Sequence, residues 1–225
     1  MLESAQREID GLQFRPARAS DADACAPLVF ASGQKEFGFF LGAPAAECIA
    51  FLRFAFAQGS GRFSFRRHHV AVTRDGTVCA VLAIHDGRSL LLDDPHVAWL
   101  LLRHFGVVHT LLALGRGLVL EGELPKPRRH QSLLAHCATH ERIRSSGVFS
   151  ALFENALRTG AVDLREGRQL VLDVLVSNSR AQALYRRHGF AATPRRRARS
   201  PRLPSELVSI RMALDLAGRH DGQSQ

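Results

Sequence analysis

Residues 178–190 read NSRAQALYRRHGF and follow directly on the apolar run RQLVLDVLV at 168–176. Asn178 is placed to cap a helix, its side-chain oxygen accepting a backbone N–H of the first turn. Ala181, Leu184 and Tyr185 then share one helix face at i, i+3, i+4 spacing. Gly189 supplies a left-handed stop, and Phe190 restarts an extended segment. A strand, a capped helix and a new strand are thus expected in immediate succession. Packing alone does not explain why that helix face carries a hydroxyl.

Upstream, residues 139–153 read THERIRSSGVFSALF. A strand ends here, Arg144-Ser145-Ser146-Gly147-Val148 turns the chain, and a helix begins at once. The first backbone N–H groups of a helix have no intrahelical partner and sit at the positive end of its dipole, so a phosphate or pyrophosphate fits there. Gly147 permits close backbone approach, and Ser145, Ser146 and Ser150 add hydroxyls.

Taken in order, the Arg-x-x-Gly turn and, about thirty residues on, Asn178-x-x-Ala181-x-x-Leu184-Tyr185-x-x-x-Gly189-Phe190 resemble the GNAT superfamily of CoA-dependent N-acyltransferases. The resemblance covers residues 132–191 closely and the rest of the chain loosely. It implies an α/β (α+β) fold with a mixed, mostly antiparallel sheet, splayed where CoA enters between the strands at 132–139 and 169–175. It implies acetyl-CoA as co-substrate, an amine acceptor on a small molecule or peptide, and direct attack in a ternary complex. Arg144, Ser145, Ser146, Gly147, Val148, Phe149 and Ser150 would hold the pyrophosphate, and Asn178, Ala181 and Tyr185 would line the pantetheine and thiol end. A backbone N–H near Ala138 or Thr139 would meet the oxyanion, and Tyr185 would protonate the departing thiolate. The hydroxyl on the helix face is then a proton source. Two departures stand out: Phe149 occupies a position where the family usually has Gly or Ala, and Ser145 one where Gly is frequent.

The base is not legible in the same way. Gln131 and Ser132 stand where some members carry a Glu, which leaves His136, His140, Glu141, Glu36 and Glu121 as open candidates, with a water-mediated base equally acceptable. A non-catalytic acyl-CoA sensor and a nucleic-acid- or ribosome-associated acetyltransferase are the alternative readings.

The 225 residues suit one domain, with 46% hydrophobic residues to fill a core and a formal net charge of +9 that favours phosphate-rich partners. Nucleic acid is not expected among them, because no aromatic interleaving or zinc-finger spacing accompanies the arginines. Arg186 and Arg187 are candidates for the CoA 3′-phosphate, and the Pro-rich run with Arg195, Arg196, Arg197, Arg199 and Arg202 reads as a solvated loop. Cys25, Cys48, Cys79 and Cys137 form no CxxC pair, and His104 and His109 are five apart rather than four, so no metal is expected and reduced thiols in the cytoplasm are. No membrane span is expected, since charged residues and glycines interrupt the apolar stretch at 97–120.

The expected organisation is a flexible stretch at 1–11, one domain at 12–216 and a disordered tail at 217–225. Within the domain, LQFRPAR (12–18) reads as a strand, 44–59 as a helix, Asp75-Gly76 as the turn of a hairpin over 68–87, 131–140 as a strand, 146–160 as a helix and 206–216 as the closing strand. An insertion at about 94–130 carries a largely apolar helix at 94–115, which either covers the acceptor pocket or forms a homodimer contact.

Overall fold

The Asp75-Gly76 turn sets the first half of the sheet. Gly76 takes φ +90°, a backbone conformation open to glycine, and the chain reverses from β2 (His68–Val72) into β3 (Val78–Asp86) as an antiparallel pair. The computed structural model describes residues 11–88, 93–163, 168–194 and 200–214. The expected flexible N-terminus up to residue 10, arginines 195–199 of the basic loop and the C-terminal tail lie outside these.

Seven strands form one sheet in the order β1-β2-β3-β4-β5-β7-β6. To the hairpin are added β1 (Gln13–Pro16), β4 (Gln131–Thr139), β5 (Gln169–Leu175), β6 (Phe190–Ala192) and β7 (Ser209–Leu214). Every neighbouring pair is antiparallel except β4 and β5. A parallel pair needs a crossover, and α6 (Val148–Arg158), the amphipathic segment read at 146–160, supplies it.

The two faces bury different helices. Leu170, Leu172 and Val174 of β5, with Met212 and Leu214, pack against Val148, Leu152, Phe153 and Ala156 of α6 and against Tyr185 of α7 (Ser179–Arg187). The opposite face carries Val70, Val72 and Val81 and is covered by α1 (Ala22–Ser32), α2 (Gln34–Leu41) and α3 (Ala45–Phe56), through Cys25, Val29, Phe37, Phe51 and Phe56.

The insertion is a helix pair, α4 (Asp93–Phe105) and α5 (Val107–Glu121), where one apolar helix is expected from sequence. The break is Gly106 at φ +80°, whose N–H still closes α4 on Leu102 while its carbonyl accepts the Thr110 N–H at the start of α5. Two side chains of α5 dock on the carbonyl end of α2: His109 Nε2 lies 2.6 Å from the Leu41 oxygen and Arg116 donates to Phe40 and Leu41. A cationic donor such as the Arg116 guanidinium is favourable at a helix C-terminus. The outer face of the pair stays open, with Val108, Leu111 and Leu118 of α5 about 70% exposed (74, 66 and 72%). Among the described residues no single helix is long and apolar enough to cross a membrane.

The return from the insertion into β4 is tight. Gly87 donates its N–H to Gln131, and a Cβ at Gly87 would lie 1.9 Å from the Arg128 carbonyl oxygen, a backbone atom that cannot swing aside. Gly87→Ala should therefore destabilise the fold by at least the ~1–3 kcal/mol typical of overpacking, read as a lowered urea midpoint at unchanged slope. A wild-type midpoint would mean that the β3–β4 connection yields easily.

Candidate functional site

β4 and β5 are paired over three residues only, Gln131–Leu133 against Gln169–Val171. Beyond them β4 stays on β3 and β5 stays on β7, so the two strands part and leave backbone groups facing each other across a gap. A bulge on β4 helps: Val81 faces Ala138 while Ala83 faces Ala135, one residue too many on β4, and His136 there takes φ +52°.

Strand alternation decides which N–H enters the gap. The His140 N–H donates to Cys79 on β3, and Ala138, two residues earlier and opposite Val81, points the same way. Thr139 lies between them opposite Ala80 and directs its N–H and carbonyl away from β3, toward the gap. Of the two positions expected to supply a donor, the Thr139 N–H faces the gap and the Ala138 N–H is turned into the ladder. The Thr139 carbonyl is met at 3.4 Å by Arg144 Nε.

The turn after β4 has the shape of an anion cradle. Ser145 and Gly147 both have positive φ, 70° and 86°, a combination that gathers successive N–H groups toward one point. At Ser145 this conformation is strained. The first intrahelical bond of α6 runs from the Ala151 N–H to Gly147, so the N–H groups of Val148, Phe149 and Ser150 have no intrahelical partner. The serine hydroxyls are less free than their sequence suggests. Ser146 spends its hydrogen on the Ile143 carbonyl, Ser150 Oγ is 2.9 Å from His188 Nε2, and Ser145 Oγ accepts from Arg180 at 2.5 Å. Backbone donors, with Arg144 and Arg180 beside them, make up the cradle. Arg144 is half exposed and also reaches Glu141 at 3.5 Å.

Phe149 points inward. It stacks on Phe153 and meets Tyr185 and His188 edge-on, so the departure from Gly or Ala leaves the turn clear. Asn178 caps α7 by accepting the Ala181 N–H at 3.1 Å. Gln182, which the sequence reading did not single out, ties α7 to the end of β5 by donating to Leu175 and Val176. Arg186 lies at the far end of α7 and donates to Gln182, and Arg187 is exposed beside it. Tyr185 is buried at 9% exposure among Phe149, Phe190 and Cys137. Burial and the neighbouring Cys137 thiol push its hydroxyl well above the usual tyrosine range, so it keeps its proton. The Cys137 thiol, bonded to Tyr185, is itself raised to about 12 by burial.

The other face of the sheet holds groups scattered in sequence. His68 Nε2 is 3.0 Å from His136 Nδ1, and the two rings lie nearly parallel with His85 edge-on to His136. Phe37 and Phe63 pack on the His136 ring. Burial pushes all three histidines down, His68 to about 4. Of the remaining base candidates, Glu36 is half-buried, with one carboxyl oxygen buried and unpartnered among the described residues and its acidity weakened by desolvation. His140 and Glu141 sit on the exposed turn beyond β4, and Glu121 pairs with Lys126 at 2.9 Å. Glu121 also borders a cavity of about 880 Å³ over β5 and β7, lined by Lys126, Arg128, Gln169 and Arg211 among others. Beside it Arg211 holds the half-buried Asp173 at 2.6 Å. Among the described residues no group of His, Cys, Asp and Glu converges to hold a metal ion.

Solved structures share this architecture. An N-acetyltransferase from Staphylococcus aureus Mu50 superposes with TM-score 0.66 at 15% identity, over 90% of this chain and 100% of that one. A second acetyltransferase gives 0.61 at 17% identity, over 90% and 98%. A structure described as histone acetyltransferase HPA2 and related acetyltransferase, from Corynebacterium glutamicum ATCC 13032, gives 0.54 at 18%, over 90% and 95%. No protein-family model and no curated protein matches the chain. The chain has the fold of the GNAT acetyltransferases, with its seven-stranded mixed sheet parted between β4 and β5.

The histidines make stability depend on pH. A ring held neutral by burial binds fewer protons than in the unfolded chain, so its contribution is full above the ordinary histidine value and is lost as pH falls from 6.5 to about 4. For His68 that window is worth about 3 kcal/mol. Glu36 and Asp173, raised by burial, act in the opposite sense. Urea unfolding at pH 7 and pH 5 should show a loss that is clearly smaller in His68→Asn. Equal losses in both proteins would mean that His68 is not held neutral in the fold.

Proposed function

We propose that the chain is an acetyltransferase that moves the acetyl group of acetyl-CoA to a primary amine of a small molecule or peptide, by direct attack within a ternary complex. One observation carries the reading: the β4–β5 gap lies between a cradle of unpartnered N–H groups at the start of α6 and the buried, protonated Tyr185 on α7.

Acetyl-CoA supplies an activated acetyl group; the chain's own residues do the rest. The N–H groups of Val148, Phe149 and Ser150, with Arg144 and Arg180, hold the pyrophosphate, and Arg186 and Arg187 are placed for a further phosphate. The Thr139 N–H, fixed by β4, meets the oxygen on which charge develops, a contribution of about 2.7–4 kcal/mol for donors of this kind. Tyr185 delivers its proton to the sulfur as it departs, and its raised acidity constant keeps that proton in place until then. The amine enters from the α1–α3 face, since the cofactor groups occupy the other. Four free cysteines suit a reducing compartment such as the cytoplasm.

The direct test is thiol release from acetyl-CoA over a panel of amines, alongside calorimetric titration of CoA. Tyr185→Phe should bind CoA within a few-fold of wild type and turn over roughly 10²-fold more slowly. Unchanged turnover at every pH would remove Tyr185 from the mechanism, and binding without thiol release for any amine would favour a sensor.

Electrostatics give a second test. Arg144→Ala should raise the acetyl-CoA Michaelis constant by roughly tenfold or more, the cost of a charge-assisted contact at ~1.5–3 kcal/mol. Neutralising Arg195, Arg196 and Arg197 together should leave it nearly unchanged if they are the solvated charges that the sequence suggests, since such charges are screened within about 8 Å. The opposite ranking would make the basic loop the binding surface.

A further inference from the structure

The histidines on the α1–α3 face form a chain whose protons can be placed by elimination. His68 Nδ1 lies 2.8 Å from the Ser64 carbonyl oxygen. A carbonyl only accepts, so the hydrogen sits on His68 Nδ1. A neutral imidazole carries one N–H, which makes His68 Nε2 an acceptor. His136 Nδ1, 3.0 Å away, is then the donor. By the same rule His136 Nε2 carries a lone pair. It has no hydrogen-bond partner among the described residues, and His136 is half-buried rather than closed off from solvent.

The position of that lone pair follows from the bulge. At φ +52° His136 departs from the β4 pleat, and its ring lies between Phe37 of α2 and Phe63. Along the strand it precedes Thr139 by three residues, about 10 Å at the usual rise and less across a bulge. An imidazole and one water span that distance. The cradle and Tyr185 belong to the opposite face, so that nitrogen is on the side left to the acceptor.

We propose that His136 Nε2 takes the proton that leaves the attacking nitrogen as the new N–C bond forms, and that His68 is the positioning residue that holds His136 in the required tautomer. The proposal rests on the acetyl-transfer reading above. The nitrogen of the free amine gains a bond to the acetyl carbon and loses one proton to His136. The C–S bond breaks with its electron pair on sulfur, and Tyr185 protonates the sulfur. Solvent returns the proton from His136 to Tyr185, so the two residues end as they began. The titratable and charged groups around His136 are His68 on β2, His85 on β3 and Arg62 ahead of them, with Glu36 next to Phe37 on α2. None of these gives His136 an anionic partner, and burial holds the ring neutral and ready to accept across the physiological range.

Long-range proton–nitrogen NMR of the 15N-histidine-labelled protein at pH 7 tests the chain without any turnover. Both His68 and His136, assigned by their loss in His68→Asn and His136→Gln, should carry their hydrogen on Nδ1. An Nε2–H form of His136 would overturn the proposal. Kinetics with 2-phenylethylamine as probe test the role. His136→Gln should lose 10²-fold or more in kcat at pH 7 with acetyl-CoA affinity unchanged, and the wild-type acid limb, expected below pH 6.5, should vanish with it. His68→Asn, whose amide oxygen can still accept from His136, should keep most of the rate that His68→Phe loses. Turnover unchanged in His136→Gln, with acetyl-CoA bound normally, would overturn this proposal alone. Failure of the wild-type protein to bind acetyl-CoA would sink the acetyl-transfer reading and this proposal with it.

Discussion

Everything at the site follows from the shortness of the β4–β5 ladder. A parallel pair three residues long, continued on either side by strands that keep their outer partners, opens a wedge inside an otherwise continuous sheet. Backbone groups within a sheet must find partners, and those along the wedge do not find them in each other. The bulge on β4 contributes the angle, β7 holds β5 away, and the half-buried Arg211–Asp173 pair ties β5 to β7. On the proposed reading the wedge admits an extended, polar ligand, and the N–H groups of the following turn favour one that is anionic at one end.

The two faces of the wedge have opposite chemistry. On the α6–α7 side a phenol and a thiol are both held in their protonated forms by burial. On the α1–α3 side three imidazoles are held neutral. One kind of desolvation thus produces proton donors on one side of the sheet and proton acceptors on the other, because the charged form it disfavours is the anion for Tyr and Cys and the cation for His.

How much of this was legible in the sequence depended on how local each feature is. Asn178, Tyr185, Gly189 and the 144–148 turn lie within single strand–turn–helix units, where cap and stop residues act on immediate neighbours, and their geometry is as the spacing implied. The serine hydroxyls could not be read that way: their type suggested donors to a ligand, but their partners are Ile143, His188 and Arg180, fixed by how α6 meets α7. His68, His85 and His136 belong to three strands, and only the pairing register and one extra residue on β4 bring them together. The insertion read as one helix because its apolar pattern continues through Gly106. The helix over 34–41 carries Gly38 and has no side-chain cap, which left it without a local signature.

The contact between Ser150 and His188 has a consequence for the geometry of the whole cleft. It joins the first turn of the crossover helix to the end of the tyrosine helix, and the stacked Phe149 and Phe153 rings, with His188 edge-on to both, fill the space beneath it. The cradle and the phenol are therefore mounted on one packed block, which sets their separation. Such a block is a ruler. A ligand whose anionic end and reactive end are the right distance apart is seated at both, and a shorter or longer one can satisfy only one of them, so length itself becomes a criterion of selection.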